Sequence, residues 1–208
     1  DSLGNKGVIS SGDAQWMTAG SGIIHQEMPL GDQEGRMEGF QLWVNLPASD
    51  KMMDPRYQNV MAAEIPVAAL PGGGEARVIC GEADGVRGPV RDIVTDPRYL
   101  DISVPANSRL EHHVEPGHTV FAYVISGKGY FDEGKSALMG NESLVLFGDG
   151  DEVVITAEDE PVRFLLLSGR PLREPVVWHG PIVMNTDEEL RTAFKEYDME
   201  EFVKHKKE

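Results

Sequence analysis

Gly12-Asp13-Ala14-Gln15-Trp16-Met17-Thr18-Ala19-Gly20-Ser21-Gly22-Ile23-Ile24-His25-Gln26-Glu27-Met28-Pro29 is the stretch whose reading decides the fold. His25 and Glu27 stand two residues apart, so on a β-strand both side chains leave from one face, with Cα atoms about 6–7 Å apart and near enough to converge on one ion. Gly20 and Gly22 can take positive φ and form a tight turn ahead of them, and Pro29 ends the run by withholding a backbone donor. The expectation is a turn, a strand over residues 23–28 with His25 and Glu27 facing inward, and a stop. The plainer alternative is an ordinary polar pair on a sheet surface. Against it stand Trp16, Met17, Ile23, Ile24 and Met28, because a carboxylate held among apolar side chains needs a charged partner, which a cation supplies.

Outward from this stretch, residues 1–46 are short apolar or alternating runs broken by Gly and Asp. The clearest is Gly39-Phe40-Gln41-Leu42-Trp43-Val44-Asn45-Leu46, which puts Phe40, Leu42, Val44 and Leu46 on one face, as a strand with one side in a core requires. Asp54 and Pro55 then suggest a short helical turn, as a cap and a first helical residue. Residues 60–71 read as a connector with its boundary near Ile65-Pro66, dividing the chain into domains 1–62 and 63–208. Strands are expected over 76–80, 90–94, 99–104, 118–126, 129–132, 143–147, 152–156 and 162–168, spaced by turns such as Asp84-Gly85 and Asp149-Gly150. Many short strands at even intervals mean an all-β sandwich or barrel. Thr186 and Glu189 form a capping box for a helix over 188–204, with Leu190, Ala193, Phe194, Tyr197 and Phe202 as its apolar side.

The chain has 208 residues, 40% of them hydrophobic, enough for a packed core. Its 35 acids against 19 Lys and Arg give a net charge of −16, which excludes nucleic acid as a direct ligand, since binding needs a basic stripe to neutralise phosphates. The basic run Lys204-His205-Lys206-Lys207 reads as a solvated helix end. No apolar run approaches a membrane span, and the first residues lack a signal peptide's basic start and apolar centre, so a soluble, cytoplasmic monomer is expected, nuclear residence staying open for a eukaryotic source. The opening Asp1 in place of Met suggests a processed or truncated product. Cys80 is the only cysteine. It excludes an internal disulfide and fits a reducing compartment, and Arg77 falls on the opposite strand face, so no activated thiolate is expected.

The motif Gly12-Asp13-x-Gln15-Trp16-Met17-Thr18-Ala19-Gly20-x-Gly22-Ile23-x-His25-x-Glu27-Met28-Pro29, followed by Gly39-x-Gln41-Leu42-Trp43-Val44-Asn45-Leu46, resembles the pirin family of the cupin superfamily. Gly169-Arg170-Pro171-Leu172-Arg173-Glu174-Pro175-Val176, His179-Gly180-Pro181 and Val183-Met184-Asn185-Thr186 are similar to that family's C-terminal signature. The resemblance implies an all-β fold of two tandem cupin β-barrels with a C-terminal helix. It also implies an iron ion held by three His and one Glu in the first barrel, quercetin dioxygenase activity in some members, and a regulatory role through protein partners in nuclear settings. In the family pattern two of the histidines precede the residue matching Asp1. Only His25 and Glu27 carry over, as metal ligands with Glu27 also the catalytic carboxylate, and the first barrel is expected as its second half.

The second domain offers no equivalent pair. Counting 13 and 15 residues from Gly148 or Gly150 reaches Pro161, Arg163 or Leu165; His112 and His113 are adjacent and face opposite ways on a strand. His118 is the better candidate but reads as a structural residue at a strand edge; His179, in a Pro/Gly-rich loop around Gly180-Pro181, and His205, in the tail, are given no role. Imidazole with one carboxylate and open positions suits Fe(II) that binds substrate oxygen and O2 side by side, and Ni, Cu or Mn would fit the same ligands. That chemistry suits oxygenation of a flavonol-like small molecule. The competing function is a non-enzymatic, iron-responsive regulatory protein whose acidic surface docks on a basic partner.

Overall fold

The computed structural model describes residues 1–31 and 33–204; all but the first residue of the basic run Lys204-His205-Lys206-Lys207 therefore lies outside the described residues. In chain order the elements are β1 (Ala14–Thr18), β2 (Arg56–Val60), β3 (Val67–Ala69), β4 (Glu75–Cys80), β5 (Glu82–Ala83), β6 (Val86–Arg87), β7 (Arg98–Val104), β8 (Ser108–His113), β9 (Thr119–Tyr130), β10 (Leu138–Gly140), β11 (Leu144–Leu146), β12 (Glu152–Ala157), β13 (Val162–Gly169), β14 (Val177–His179), β15 (Ile182–Met184) and α1 (Asp187–Asp198). The fold is all-β with one C-terminal α-helix, as expected. Two compact units form, one from residues 1–9, 15–58 and 173–208, the other from residues 10–14 and 59–172. No helix among the described residues is long and apolar enough to cross a membrane.

The second unit is a curled antiparallel sheet in the order β3-β4-β7-β13-β9-β12-β8, with β10 and β11 also on β9. β9 belongs to both layers: residues 119–127 pair with β13, while its far end pairs with β10 and meets β12. The turn between layers falls at Gly127, whose φ is +69° and whose absent Cβ would lie 1.9 Å from the Pro161 carbonyl oxygen. Only glycine satisfies both conditions. Residues 118–126 and 129–132 were expected as separate strands, and are one strand bent at this glycine.

Between the layers lies the core. Strand alternation buries one face: on β12, Val153, Ile155 and Ala157 point in while Glu152, Val154 and Thr156 do not. Phe164, Leu100, Ile102, Leu110 and Ile155 are the largest of the fully buried side chains, and the Phe131 ring meets Phe164 edge-on at 5.1 Å. Asp101, 7% exposed, is satisfied by a two-pronged bond from Arg163 (2.9 and 2.8 Å) and by Arg77 at 3.5 Å. Arg77 also donates to the Gly12 carbonyl (2.9 Å), and the Asp13 carboxylate accepts from the Ala62 and Ser10 amides, which lowers its pKa. The Gly12-Asp13 turn is thereby tied to this unit.

In the first unit the Gly20 turn sits against residues 53–54. Its φ is +53°, an added Cβ would stand 2.1 Å from the Met53 carbonyl oxygen, and the Ser21 amide donates to that oxygen at 2.8 Å. Lys51 is buried and donates to Asn45 Oδ1 (2.7 Å) and the Leu46 carbonyl (3.0 Å); desolvation lowers its pKa against the charges of Glu174 and Glu189. α1 starts in the expected capping box, Glu189 N–H donating to Thr186 Oγ1 while the Glu189 carboxylate accepts from the Thr186 amide. It ends at Asp198, short of the expected residue 204. There Glu200 takes φ +60° and the Glu200 and Glu201 amides donate back to Tyr197 and Glu196 carbonyls, a left-handed stop.

Several local expectations are corrected. Residues 23–28 and 39–46 form no strand: alternation defines a face, but a strand also needs a hydrogen-bonding neighbour. Phe40 and Val44 are 47% and 37% exposed. Residues 54–58 enter β2 rather than a helical turn, and the connector at 60–71 contains β3, which pairs with β4. Residues 90–94 contribute one isolated bridge, Val90 to Cys80.

Candidate metal centre

His25 and Glu27 follow β1 through the Gly20 turn. Backbone order at this point comes from Ser2, whose amide donates to the Ile24 carbonyl (2.7 Å) and whose hydroxyl accepts from the Ile24 amide (3.0 Å). His25 Nδ1 lies 4.0 Å from Glu27 Oε1. Two donors on one ion can be no more than about 4.2 Å apart, twice a metal–ligand distance of ~2.1 Å, so the pair is within bridging reach. The spacing in the sequence thus brings the two tips together without a regular strand.

Their surroundings differ from expectation. The side chains are 31% and 63% exposed, and Ile24 and Met28 are 45% and 76% exposed, so neither His25 nor Glu27 faces inward and Glu27 is solvated. Desolvation therefore places no demand for a cation on it. Tyr57 of β2 is the neighbour that sequence reasoning missed. It is half-buried, and desolvation together with the Glu27 charge pushes its phenol pKa upward. Its only sequence signal, a polar aromatic residue after Pro55, was absorbed into the expected helical turn.

Imidazole and carboxylate are the right donor types for a first-row metal, but no group of three or more His, Cys, Asp or Glu side chains among the described residues could hold an ion. His25 and Glu27 are therefore two donors and not a complete site among the described residues.

The other candidates fall where strand geometry puts them. On β8, His112 faces the interior at 8% exposure and His113 faces out. His118 precedes β9, with Nδ1 buried and unpartnered among the described residues. His179, expected in a loop, belongs to the β14–β15 hairpin and meets the Phe194 ring edge-on at 5.5 Å. Cys80 is buried, donates to the Pro97 carbonyl at 3.2 Å, and has its pKa pushed up to about 12 by desolvation; it is no nucleophile at neutral pH.

Residues 99–203 match the pirin C-terminal cupin domain and residues 1–44 match the pirin family. A pirin-like protein of Caulobacter vibrioides is 44% identical over 204 residues, covering 97% of this chain and 72% of the relative. Human pirin is 41% identical over 201 residues, covering 95% of this chain and 67% of its own. A crystal structure of quercetin 2,3-dioxygenase from Acinetobacter baumannii superposes with a TM-score of 0.82 at 30% identity, over 97% of this chain and 70% of that one. The likeness runs from the Gly12-Asp13 turn through the capping box of α1, and on that breadth the chain belongs to the pirin family.

Proposed function

We propose that the chain carries part of the metal site of a quercetin 2,3-dioxygenase-type oxygenase, with Fe(II) as the metal and a flavonol-like small molecule as substrate. The observation that carries this reading is the 4.0 Å approach of His25 Nδ1 to Glu27 Oε1 within the stretch that matches the pirin family. His25 offers a neutral nitrogen donor and Glu27 the anionic one, and the remaining positions fall to the histidine pair that the family pattern places ahead of the residue matching Asp1. A metal held there would supply Lewis acidity and O2 activation. Tyr57 keeps its proton beyond the ordinary phenol range, leaving an O–H donor near the Glu27 carboxylate.

The test is iron per chain and quercetin-dependent O2 uptake in protein that includes that histidine pair, compared with its His25→Ala and Glu27→Gln variants. Both variants should lose iron, Glu27→Gln through loss of the anionic ligand, and O2 uptake should fall in parallel. Undiminished iron after His25→Ala refutes the ligand assignment. Full iron occupancy with no O2 uptake refutes the oxygenase reading and favours iron-responsive regulation.

A further inference from the structure

The second unit carries a cavity of about 910 Å3, bordered by the ends of β4 and β8, by β5 and β6, and by the segment leading into β7. That volume lies in the range of small-molecule sites. It lies wholly in residues 59–172 and shares no side chain with the His25 and Glu27 pair.

Three features define what it can hold. First, His112 lines the cavity at 8% exposure, and its Nε2 has no hydrogen-bond partner among the described residues. Buried polar atoms are normally paired, and an orphan of this kind points to a missing partner. Desolvation and the nearby Arg98 charge push the His112 pKa down to about 4, so the ring is neutral and one of its nitrogens is an acceptor.

Second, the wall is acidic: seven carboxylates against the guanidiniums of Arg87, Arg91 and Arg98. Arg87 is taken by Glu82 at 3.0 Å and Arg98 by Glu115. Asp84, Asp96 and Glu152 have no ion-pair partner among the described residues. Glu111 is balanced by Arg109 at 2.7 Å, so an anionic ligand would meet three unpaired carboxylates, whereas a cation would be drawn in. These carboxylates do not converge into a metal-binding group, so the charge suits an organic cation rather than a metal ion.

Third, Leu70, Ala83, Val90 and Ile93 supply apolar wall, suited to a methylene chain.

We propose that this cavity binds an aliphatic diamine or polyamine, with an ammonium group donating to His112, its charge balanced by Asp84, Asp96 and Glu152, and its methylenes against Leu70 and Val90. The Cys80 thiol, committed to the Pro97 carbonyl, takes no part.

The experiment is isothermal titration of the full chain at 150 mM NaCl with putrescine, and with butane-1,4-diol and succinate as its neutral and anionic analogues. Putrescine should bind saturably at one site, with both analogues at least tenfold weaker. Asp84→Asn with Asp96→Asn should weaken putrescine at least tenfold. Both positions have positive φ, near +45°, where asparagine is well tolerated, so this variant keeps the fold. His112→Phe, checked for folding by circular dichroism, should lose binding as well. Succinate binding as tightly as putrescine overturns the charge argument. Putrescine uptake that is non-saturable, or unchanged in the folded variants, shows nonspecific attraction to an acidic protein and overturns the site.

Discussion

Replacing Gly127 by alanine separates two costs that one residue carries. The first is conformational: φ of +69° disfavours a residue with a Cβ by about 1–2 kcal/mol, reduced slightly because alanine has less freedom to lose on folding. The second is steric. The new Cβ would sit 1.9 Å from the Pro161 carbonyl oxygen and 3.0 Å from its carbon, so β9 and the start of β13 must part by more than 1 Å, and overpacking of this kind costs about 1–3 kcal/mol. The total is about 2–4 kcal/mol. Gly117 provides the control, since its φ is +78° and an added Cβ meets nothing within 4 Å; Gly117→Ala should cost only about 1 kcal/mol. For a chain of this length 1 kcal/mol moves the melting point by about 2–4 °C. Amide hydrogen exchange of Leu166 and Ala122, paired across β13 and β9, reports this unit separately from the other. Equal losses from the two substitutions would show that the bend imposes no steric requirement at Gly127.

Four further outcomes follow from the geometry. Thr186→Ala removes the cap of α1 and should cost about 1 kcal/mol, read as faster exchange of the Glu189 amide, with Thr186→Ser restoring protection. His112, with its folded pKa near 4 against 6.5, binds its proton more readily once unfolded; its contribution is therefore complete above pH 6.5 and lost as pH falls through 4. That is about 3 kcal/mol, and a folded His112→Gln variant should show a correspondingly flatter urea midpoint across this window. Cys80 should stay silent to a thiol reagent at pH 8 until the protein unfolds; because its folded pKa is about 12, its stabilising contribution holds below the ordinary thiol pKa and fades as pH rises towards 12, and prompt labelling of native protein contradicts the burial. Binding to free duplex DNA at physiological salt should be undetectable by gel shift, since 35 acids face 19 bases; sub-micromolar sequence-selective binding would remove the charge argument.

Legibility in the sequence tracked how locally each feature is determined. β4, β7 and β12 follow from alternation that the residues themselves carry, β13 from its continuous apolar run Phe164-Leu165-Leu166-Leu167, and the capping box of α1 needs only Thr186 and Glu189. β8 escaped notice because Ser108-Arg109-Leu110-Glu111-His112-His113 has a single aliphatic residue; its inward face becomes visible only when His112 is counted as a core residue. β14 and β15 were hidden by Gly180-Pro181, which read as a loop and is the turn of their hairpin. Residues 39–46 show the opposite failure, a clear alternation without a neighbouring strand. At the candidate metal site, the two-residue spacing of His25 and Glu27 was enough to bring their tips together. Solvation of Glu27 and the proximity of Tyr57 depend on how residues 24–28 and β2 pack, which spacing alone does not contain.

The path of the backbone imposes an order on synthesis. The Ala48 amide is satisfied by Glu174, 126 positions later, and β14, β15 and α1 arrive later still. When Leu172 has left the ribosome, every residue of the sheet around Phe164 is available, while the unit that contains Ala48 still lacks Glu174, β14, β15 and α1. Contacts that span so long a loop form late, and until then Val8, Met28, Leu30 and Phe40, already well exposed in the finished fold, have still less to cover them. A nascent chain stalled at that length would hold a complete sheet in one unit while apolar side chains of the other stay uncovered, a state in which exposed apolar surface favours aggregation.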